Sequence, residues 1–315
     1  MLCVHLKNTN PFFCLAAEEY LLKNFSEDIF MLWQSDKTVV VGKHQNAMAE
    51  INYPFVRENN ITVARRISGG GTVYHDAGNV NFCFIKNVKS PAEISFKQFT
   101  DPVVEALLKL GVEATTSGRN DLLINGLKIS GNAEHVFKNR VLHHGTLLYD
   151  SDLENLGQAI KVVPGKYESK AVQSNRSKVA NISSYLKEEM EVEAFILFLM
   201  KVQLEKEGNK MYEITTTDSE IIQNLVSEKF ATWNWRYGYS PKYYFKNEVA
   251  INGKKLLIRL MVKKGRIESP EISGNYFTGE QAERISRNLT GERHFYDDIK
   301  NVLQSDSEEL IDAFF

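Results

Sequence analysis

A short segment with two apolar runs around an Asn-Gly pair places the tightest constraint on how this 315-residue chain folds. The segment reads NDLLINGLKISG and covers residues 120–131. Asn125 and Gly126 favour the left-handed backbone of a two-residue hairpin turn, and such a turn fixes which residues face each other. The turn predicts three facing pairs: Ile124 with Leu127, Leu123 with Lys128, and Leu122 with Ile129.

The register of this hairpin separates Lys128 from the apolar side chains around it. Side chains alternate between the two faces of a strand, so the apolar residues share one face: Leu122, Ile124, Leu127 and Ile129. Lys128 lies on the other face beside Leu123, with Asp121 and Ser130 as diagonal neighbours. A lysine in this position is either an ordinary surface residue or a cation in a site, and the hairpin alone leaves both interpretations open.

Helix and strand signals alternate through the first half of the chain. Asn10 and Pro11 predict the start of one helix, and Asp101 with Pro102 predicts a second helix over residues 101–111. Short β-branched or aromatic runs predict strands at residues 38–42, 61–65, 80–85 and 141–149. The following residues, 151–230, read as helical with a polar loop at 165–178.

The pattern changes after an aromatic segment at residues 233–245, which we interpret as a packed connector. Asn-Gly and Lys-Gly turn signals divide residues 249–269 into a small antiparallel meander. Capping-box pairs predict two further helices: Thr278 with Gln281 for residues 279–289, and Ser305 with Glu308 within 296–314. The simplest organisation is a large domain over residues 1–245 and a small domain over 246–315.

A second segment, ARRISGGGTVYHD at residues 64–76, sets three glycines behind two arginines. Backbone amides without side chains around them can cradle a phosphate or carboxylate, and Arg66 could supply a charged fork. The alternative is a glycine-rich turn with two solvated arginines. Neither GxxxxGK[ST] nor GxGxxG is present, so the familiar nucleotide fingerprints do not decide between them.

Composition excludes several classes of function. With 38 basic and 40 acidic residues the net charge is −2, which provides no general attraction to nucleic acid or to a membrane surface. The three cysteines form no CxxC pair, and neither a secretory signal nor an apolar run of membrane length occurs, so we expect a cytoplasmic protein. His143 and His144 are either a satisfied pair or site residues; HExxH and a Ser/His/Asp order are absent.

The order of the motifs along the chain is more specific than any one of them. NPFFCLAAEEYLL, TVVVGKHQN, ARRISGGGTVYHDAGNVNF, SGRNDLLINGLKISGNA, HHGTLLYDSDL and SNRSKVANIS follow one another from about residue 10. In this order and spacing the chain resembles the bacterial lipoate–protein ligase A family, and the connector WNWRYGYSP with its meander resembles that family's C-terminal accessory domain. The resemblance implies an α+β fold of the biotin/lipoyl ligase type: a catalytic domain with a mixed β-sheet flanked by helices, plus a small α/β accessory domain.

The resemblance also implies a reaction, its cofactors and its partners. Lipoate and ATP with Mg²⁺ would give lipoyl-AMP and pyrophosphate, and the lipoyl group would then pass to one lysine of a lipoyl domain. The implied acceptors are 2-oxoacid dehydrogenase E2 subunits and the glycine cleavage H protein, with no nucleic-acid or membrane partner. Two alternatives stay open: a lipoyltransferase that uses preformed lipoyl-AMP, and a non-catalytic module that binds acyl-carrier domains.

Site residues follow from the resemblance by motif, with Lys128 in the catalytic role. The residues implied to bind ATP or lipoate are Arg66, Gly69, Gly70, Gly71, Thr72, Val73, Tyr74, Asn79, Asn120, Asp121, Lys128, His144 and Thr146. An adenylate loop is implied at Lys170, Ser174 and Arg176, and no residue is assigned as a metal ligand. For the lipoyl tail we hypothesise an apolar tunnel lined by Val73, Val80 and Phe82.

Overall fold

The fold is taken from a computed structural model that describes residues 1–90, 95–117 and 121–315. The chain forms two compact units, each assembled from three segments. The first unit contains Met1–Lys43, Thr62–Gly157 and Ser174–Ala231, and the second contains His44–Ile61, Gln158–Gln173 and Thr232–Phe315. The segments of the two units alternate along the chain, so they do not correspond to the predicted domains at residues 1–245 and 246–315. That division stays a prediction.

The strands are β1 (Leu2–Leu6), β2 (Ile29–Trp33), β3 (Thr38–Val41), β4 (Thr62–Arg65), β5 (Val73–His75), β6 (Asn79–Asn87), β7 (Thr115–Ser117), β8 (Asp121–Ile124), β9 (Leu127–Phe137), β10 (Arg140–Leu148), β11 (Tyr167–Ser169), β12 (Lys210–Met211), β13 (Tyr243–Ile251), β14 (Lys254–Lys263) and β15 (Arg266–Gly274). The helices are α1 (Pro11–Asn24), α2 (Ala47–Glu50), α3 (Tyr53–Glu58), α4 (Lys97–Lys109), α5 (Leu153–Ala159), α6 (Val192–Leu204), α7 (Thr216–Leu225), α8 (Gly279–Leu289), α9 (Tyr296–Leu303) and α10 (Glu308–Asp312). In the described part of the chain, none of these helices has the length and apolar character needed to cross a membrane.

A mixed sheet is the centre of the first unit, in the order β12-β1-β2-β6-β10-β9-β8-β7. β1 runs parallel to β2 and β12, whereas β2, β6, β10 and β9 pair antiparallel. Beside it, β4, β3 and β5 form a smaller sheet in which β3 is central. This arrangement of a mixed sheet with helices confirms the α+β fold that the resemblance implied.

Alternation along β6 gives the large sheet two chemically different faces. Val80, Phe82 and Phe84 are fully buried in one apolar cluster, together with side chains of α4 and α6 such as Phe99 and Phe195. We call this side the core face; burying one such phenylalanine stabilises the fold by about 1.5–3 kcal/mol. The other side, the polar face, carries Asn79, Asn81 and Cys83 from β6 with His144 and Thr146 from β10, because directly paired residues share a face.

The second unit contains a four-stranded antiparallel sheet in the order β11-β13-β14-β15. Asn252-Gly253 and Lys264-Gly265 form its turns with positive φ, as the sequence predicts. α8 begins after Thr278 with the predicted capping box to Gln281. The second predicted box is wrong, because Ser307 rather than Ser305 caps α10.

Two further predictions need correction. α4 begins at Lys97 rather than Asp101, with Pro102 inside the helix; burial of Phe99 in the core explains why the chain enters the helix earlier. In the hairpin, Ile124 faces Leu127 and Leu123 faces Lys128 as predicted, but Leu122 faces Ser130 and not Ile129. A β-bulge between Leu122 and Leu123 shifts the register at that point.

Candidate active site

The two neighbouring histidines of β10 point to opposite faces of the large sheet. His143 is on the core face, where its ring stacks on Phe99 at 4.7 Å and its Nδ1 lies 2.9 Å from Oε1 of Glu134. His144 is on the polar face, paired across the sheet with Cys83 of β6 and Ala133 of β9. Only His144 can therefore belong to a site on the polar face.

His144 lies at the centre of a buried hydrogen-bonded relay. Its Nδ1 is 2.7 Å from Oε2 of Glu18 on α1, and its Nε2 is 2.6 Å from Oγ of Ser68 in the glycine loop. A carboxylate can only accept, so the proton of the neutral ring lies on Nδ1. Nε2 then accepts from the Ser68 hydroxyl. Trp33 Nε1 donates to the second Glu18 oxygen at 3.2 Å. The relay joins α1, β10 and the glycine loop, which are far apart in sequence.

Arg66 holds the glycine loop in its folded shape. The side chain is buried, and its guanidinium donates to the carbonyl oxygens of Val40, Gly69 and Gly71 at 3.1, 2.6 and 2.6 Å. Its Nε also donates to Oγ of Ser68 at 3.0 Å. Burial lowers the pKa of Arg66 to about 10, so the group remains a cation at neutral pH. The structure therefore places Arg66 against the protein's own backbone.

The glycine loop packs tightly where it meets β9 and the segment around Ser174. Gly70 has a φ of +83°, and a Cβ there would come within 3.5 Å of the Ala133 Cβ on the polar face of β9. A Cβ on Gly71 would lie 3.1 Å from Oγ of Ser174. The amide of Thr72 donates to that same oxygen at 2.8 Å. A side chain on Gly71 would push the loop away from Ser174, whereas a Cβ on Gly70 would press on the Arg66 guanidinium at 3.0 Å and would require a left-handed backbone.

Lys128 lies over Gly131 as a consequence of the β-bulge. The bulge pairs Gly131 directly with Asp121, and Ser130 with the core residue Leu122. The Lys128 Nζ then lies 2.9 Å from Asp121 Oδ1. A Cβ on Gly131 would be only 3.0 Å from that Nζ, so the glycine provides the space that the ammonium occupies.

The ammonium and the glycine loop lie along the same strand face. Gly131, beneath Lys128, and Ala133, beneath Gly70, are two residues apart on β9 and hence on one face, about 7 Å from each other. Thr146 belongs to this face as well, because its Oγ1 accepts from the Gly131 amide at 3.2 Å. The polar face thus combines a lysine, a bare loop and hydrogen-bonding side chains.

Several buried polar atoms on β5 and β6 lack a partner among the described residues. Asn79 donates from Nδ2 to Oδ1 of Asn81 at 3.0 Å, which leaves the Asn79 Oδ1 and the Asn81 Nδ2 unpaired. The Tyr74 hydroxyl and both ring nitrogens of His75 are unpaired too. Leaving such groups buried without a partner costs about 1–3 kcal/mol each, which makes bound water or ligand the expected complement.

His75 is one of these buried groups, and its pKa is strongly perturbed. Its ring meets Trp33 edge to face at 5.4 Å, and burial together with the charge of Arg66 lowers its pKa to about 3. The imidazole is therefore neutral at physiological pH. Sequence reasoning did not single out Glu18, Ser68 or His75; each stands inside a quoted motif, but nothing local shows that they meet.

The remaining predicted residues divide into three groups. Val80 and Phe82 are buried in the apolar cluster on the core face, so the prediction that they line a tunnel for the lipoyl tail is wrong. Val73 is half-buried on β5, and Arg176 is exposed in the first unit. Lys170 belongs to the second unit, and Asn120 lies outside the described residues. Within residues 1–90, 95–117 and 121–315, no group of three or more His, Cys, Asp or Glu side chains is arranged to hold a metal.

Comparisons with known proteins agree with the motifs. The lipoyl protein ligase A/B catalytic domain matches residues 10–202, and the bacterial lipoate protein ligase C-terminus matches residues 240–313. Lipoate–protein ligase 1 of Staphylococcus aureus is 40% identical over 297 residues, which cover 94% of this chain and 90% of that protein.

Two solved structures extend the comparison to the fold. A Plasmodium falciparum protein in complex with lipoate superimposes with a TM-score of 0.65 at 25% identity, covering 99% of this chain and 97% of that one. A bipartite lipoate protein ligase from Thermoplasma acidophilum, described with its E2 lipoyl domain, gives a TM-score of 0.66 at 25% identity and covers 76% of this chain and 96% of that one. The resemblance inferred from the motifs is confirmed: this chain belongs to the lipoate–protein ligase family.

Proposed function

We propose that this protein is an ATP-dependent lipoate–protein ligase that activates free lipoate as lipoyl-AMP and then transfers the lipoyl group to a lysine of a lipoyl domain. The observation that carries the proposal is that the Lys128 ammonium and Gly70 of the glycine loop lie above Gly131 and Ala133, two residues on the same face of β9. Family membership and the lipoate complex of the P. falciparum relative support the choice of acyl substrate.

The activation step needs positive charge rather than a base. A carboxylate with a pKa of about 4–5 is already ionised at pH 7, so no proton must be removed before it attacks phosphorus. The barrier comes from bringing this anion onto the triphosphate. Two unit charges 4 Å apart interact by about 4 kcal/mol at an effective dielectric constant of 20, so one well-placed ammonium offsets a large share of the repulsion. Lys128 is the residue that we assign to this task.

Backbone amides of the loop supply a second, fixed source of positive potential. Arg66 holds this loop by its carbonyl oxygens and His144 holds it by the Ser68 hydroxyl, so its amides need not reorganise when charge moves in the reaction. In this proposal Arg66 acts through the loop, not by direct contact with substrate.

Mg²⁺ is proposed as the counter-ion that enters with ATP. Magnesium commonly binds one or two protein carboxylates and completes its shell with phosphate oxygens and water. The described residues contain no group of three carboxylate, histidine or cysteine side chains that could hold the ion by themselves, which fits an ion held mainly by the nucleotide. When bound, the ion would neutralise charge on the phosphates.

The acceptors that we propose are lipoyl domains of 2-oxoacid dehydrogenase E2 subunits and the glycine cleavage H protein. The T. acidophilum ligase is described together with its E2 lipoyl domain, which supports this class of partner. Cytoplasmic localisation is part of the same proposal.

Pyrophosphate exchange tests the proposal most simply. With purified protein, lipoate should drive incorporation of labelled pyrophosphate into ATP, and the rate with Lys128→Ala should fall by at least 100-fold. Exchange that does not depend on lipoate would contradict the proposal. Absence of exchange combined with transfer from supplied lipoyl-AMP would favour the lipoyltransferase alternative, and loss of both would favour the non-catalytic carrier-binding module.

A further inference from the structure

The transfer step poses a problem that activation does not. The acceptor lysine arrives as an ammonium with a pKa near 10.4 and must reach an acyl carbon next to the Lys128 ammonium. At a separation of 4 Å the two cations repel by about 4 kcal/mol at an effective dielectric constant of 20. A carboxylate close to Lys128 is needed to offset this repulsion and to take a proton from the attacking nitrogen.

Most carboxylates around the polar face are committed to other groups. Both Glu18 oxygens are engaged, by His144 and by Trp33. Asp76 accepts at Oδ1 from the Gly78 amide at 3.0 Å and at Oδ2 from the Asp152 amide at 2.8 Å. These acids are therefore parts of the fold.

Neither histidine near the site can replace a carboxylate. Both ring nitrogens of His144 are occupied in the relay to Glu18 and Ser68. His75 is buried beside Trp33, and its pKa of about 3 keeps it from holding a proton at neutral pH. His143 and Glu134 pair with each other, and the His143 ring lies on the core face.

Asp121 differs from all of these groups. Its Oδ1 is 2.9 Å from Lys128 Nζ, and its side chain is 31% exposed, whereas that of Glu18 is 1% exposed. Among the described residues, no hydrogen bond to its Oδ2 is found, so one oxygen of the pair is available. The β-bulge sets Asp121 directly opposite Gly131, and among the described residues the side-chain atoms within 4 Å of a Cβ on Gly131 belong to Lys128.

We infer that Asp121 is the proton acceptor of the transfer step: it draws in the acceptor lysine and takes the proton that its nitrogen loses during attack on the acyl-adenylate. This inference rests on the proposed function and assigns a step that the family resemblance left open. Lys128 and Asp121 have different roles: the lysine stabilises the anions, and the aspartate attracts the ammonium of the acceptor lysine.

The acceptor nitrogen loses two protons during the transfer step, and AMP is the leaving group. The acceptor ammonium first loses one proton to water, and the neutral amine attacks the acyl carbon. As the C–N bond forms the nitrogen becomes positively charged and acidic, and it gives its second proton to the Asp121 carboxylate. The bond between the acyl carbon and the phosphate oxygen then breaks, AMP leaves with the electron pair, and Asp121 releases its proton to solvent.

Asp121→Asn tests this assignment when three rates are measured on the full-length protein. The first is formation of lipoyl-AMP from lipoate and ATP. The second is transfer from supplied synthetic lipoyl-AMP to the lysine of a lipoyl domain. The third is transfer from the same adenylate to hydroxylamine, a weakly basic amine that is neutral at pH 7 and needs neither electrostatic attraction nor a strong base.

We expect the variant to slow transfer to lysine by about 100-fold, which is the lower end of the range for a lost general base. Transfer to hydroxylamine should change less than about threefold, and Asp121→Glu should recover part of the lysine rate. Asp101→Asn, an exposed position on α4, is the matched control for loss of one negative charge and should leave all three rates unchanged.

Equal losses with lysine and hydroxylamine, or an equal loss in lipoyl-AMP formation, would overturn the inference, because Asp121 would then act through Lys128. Since the adenylate is supplied in the second and third assays, a protein that cannot make lipoyl-AMP would contradict the ligase proposal without affecting this test.

Discussion

Replacing Gly131 with alanine tests whether the space beneath the Lys128 ammonium is needed for catalysis. A Cβ at this position would lie 3.0 Å from Nζ and 3.1 Å from Cε of Lys128. Carbon atoms in favourable contact are about 3.5–4.0 Å apart, so the end of the lysine must move by roughly 0.5–1 Å. The φ angle of Gly131 is not in the left-handed region, so alanine adds no backbone strain.

The size of the effect follows from the distance. Displacing a catalytic group by about 1 Å can cost about 10²-fold in rate. We therefore expect Gly131→Ala to slow single-turnover formation of lipoyl-AMP by about 10- to 100-fold. The free energy of unfolding should change by less than about 1 kcal/mol, because the Lys128 side chain is flexible and 23% exposed and can yield to the added methyl group.

Rapid-quench measurement of lipoyl-AMP and urea unfolding would give the two quantities. Gly157→Ala, on α5, is the matched control because nothing lies within 4 Å of its added Cβ, and it should keep the wild-type rate. A wild-type rate in Gly131→Ala would refute the reasoning. An equal loss in both variants would show that the effect does not come from Lys128.

Three further predictions concern the loop and its surroundings. Arg66→Lys removes the guanidinium that donates to the carbonyl oxygens of Gly69 and Gly71, so the free energy of unfolding in urea should fall by about 2–4 kcal/mol. Unchanged stability would contradict this. Below pH 6.5 His75 becomes protonated in the unfolded chain but not in the folded chain, where its pKa is about 3. The free energy of unfolding should therefore be about 2 kcal/mol lower at pH 5 than at pH 6.5 through this group. His75→Gln should remove that share, and an identical pH slope would argue against it. Val73→Trp should raise the KM for lipoate at least tenfold, and an unchanged KM would show that Val73 does not line the acyl site.

The hairpin shows how far local sequence reasoning reaches. The Asn125-Gly126 turn and the first two facing pairs were predictable because the turn type determines them. The bulge was not, because it depends on burial of Ile129 in the apolar cluster while Ser130 pairs with Leu122. Yet this bulge puts Gly131 beneath Lys128, so the functional consequence of the KISG motif became visible only in the folded strand.

The histidine relay shows where sequence reasoning stops. Strand alternation requires the adjacent residues His143 and His144 to face opposite sides of the sheet, but it does not determine which of them meets the glycine loop. Glu18 and His144 are 126 residues apart, and Ser68 and His144 are 76 apart, so no local pattern links them. The tunnel prediction failed for the same reason: Val80 and Phe82 follow the glycine loop in sequence but face the opposite side of the sheet.

The two compact units also escape local patterns. Residues 44–61 and 158–173 belong to the same unit as the C-terminal meander, although each is flanked in sequence by parts of the first unit. Their composition does not change at these boundaries. The family resemblance supplied what periodicity could not, because the order of motifs over the whole chain identified the fold before any contact was known.

The central claim is that one ammonium beside the glycine loop offsets the repulsion between two anions while they react. The most direct test is the rate of lipoyl-AMP formation by Lys128→Met. Methionine keeps most of the side-chain length and removes the charge, while the partly exposed Asp121 can regain water. With saturating lipoate and ATP in a single turnover, we predict a rate at least 100-fold below wild type with lipoate binding largely retained. A rate within threefold of wild type would contradict the account.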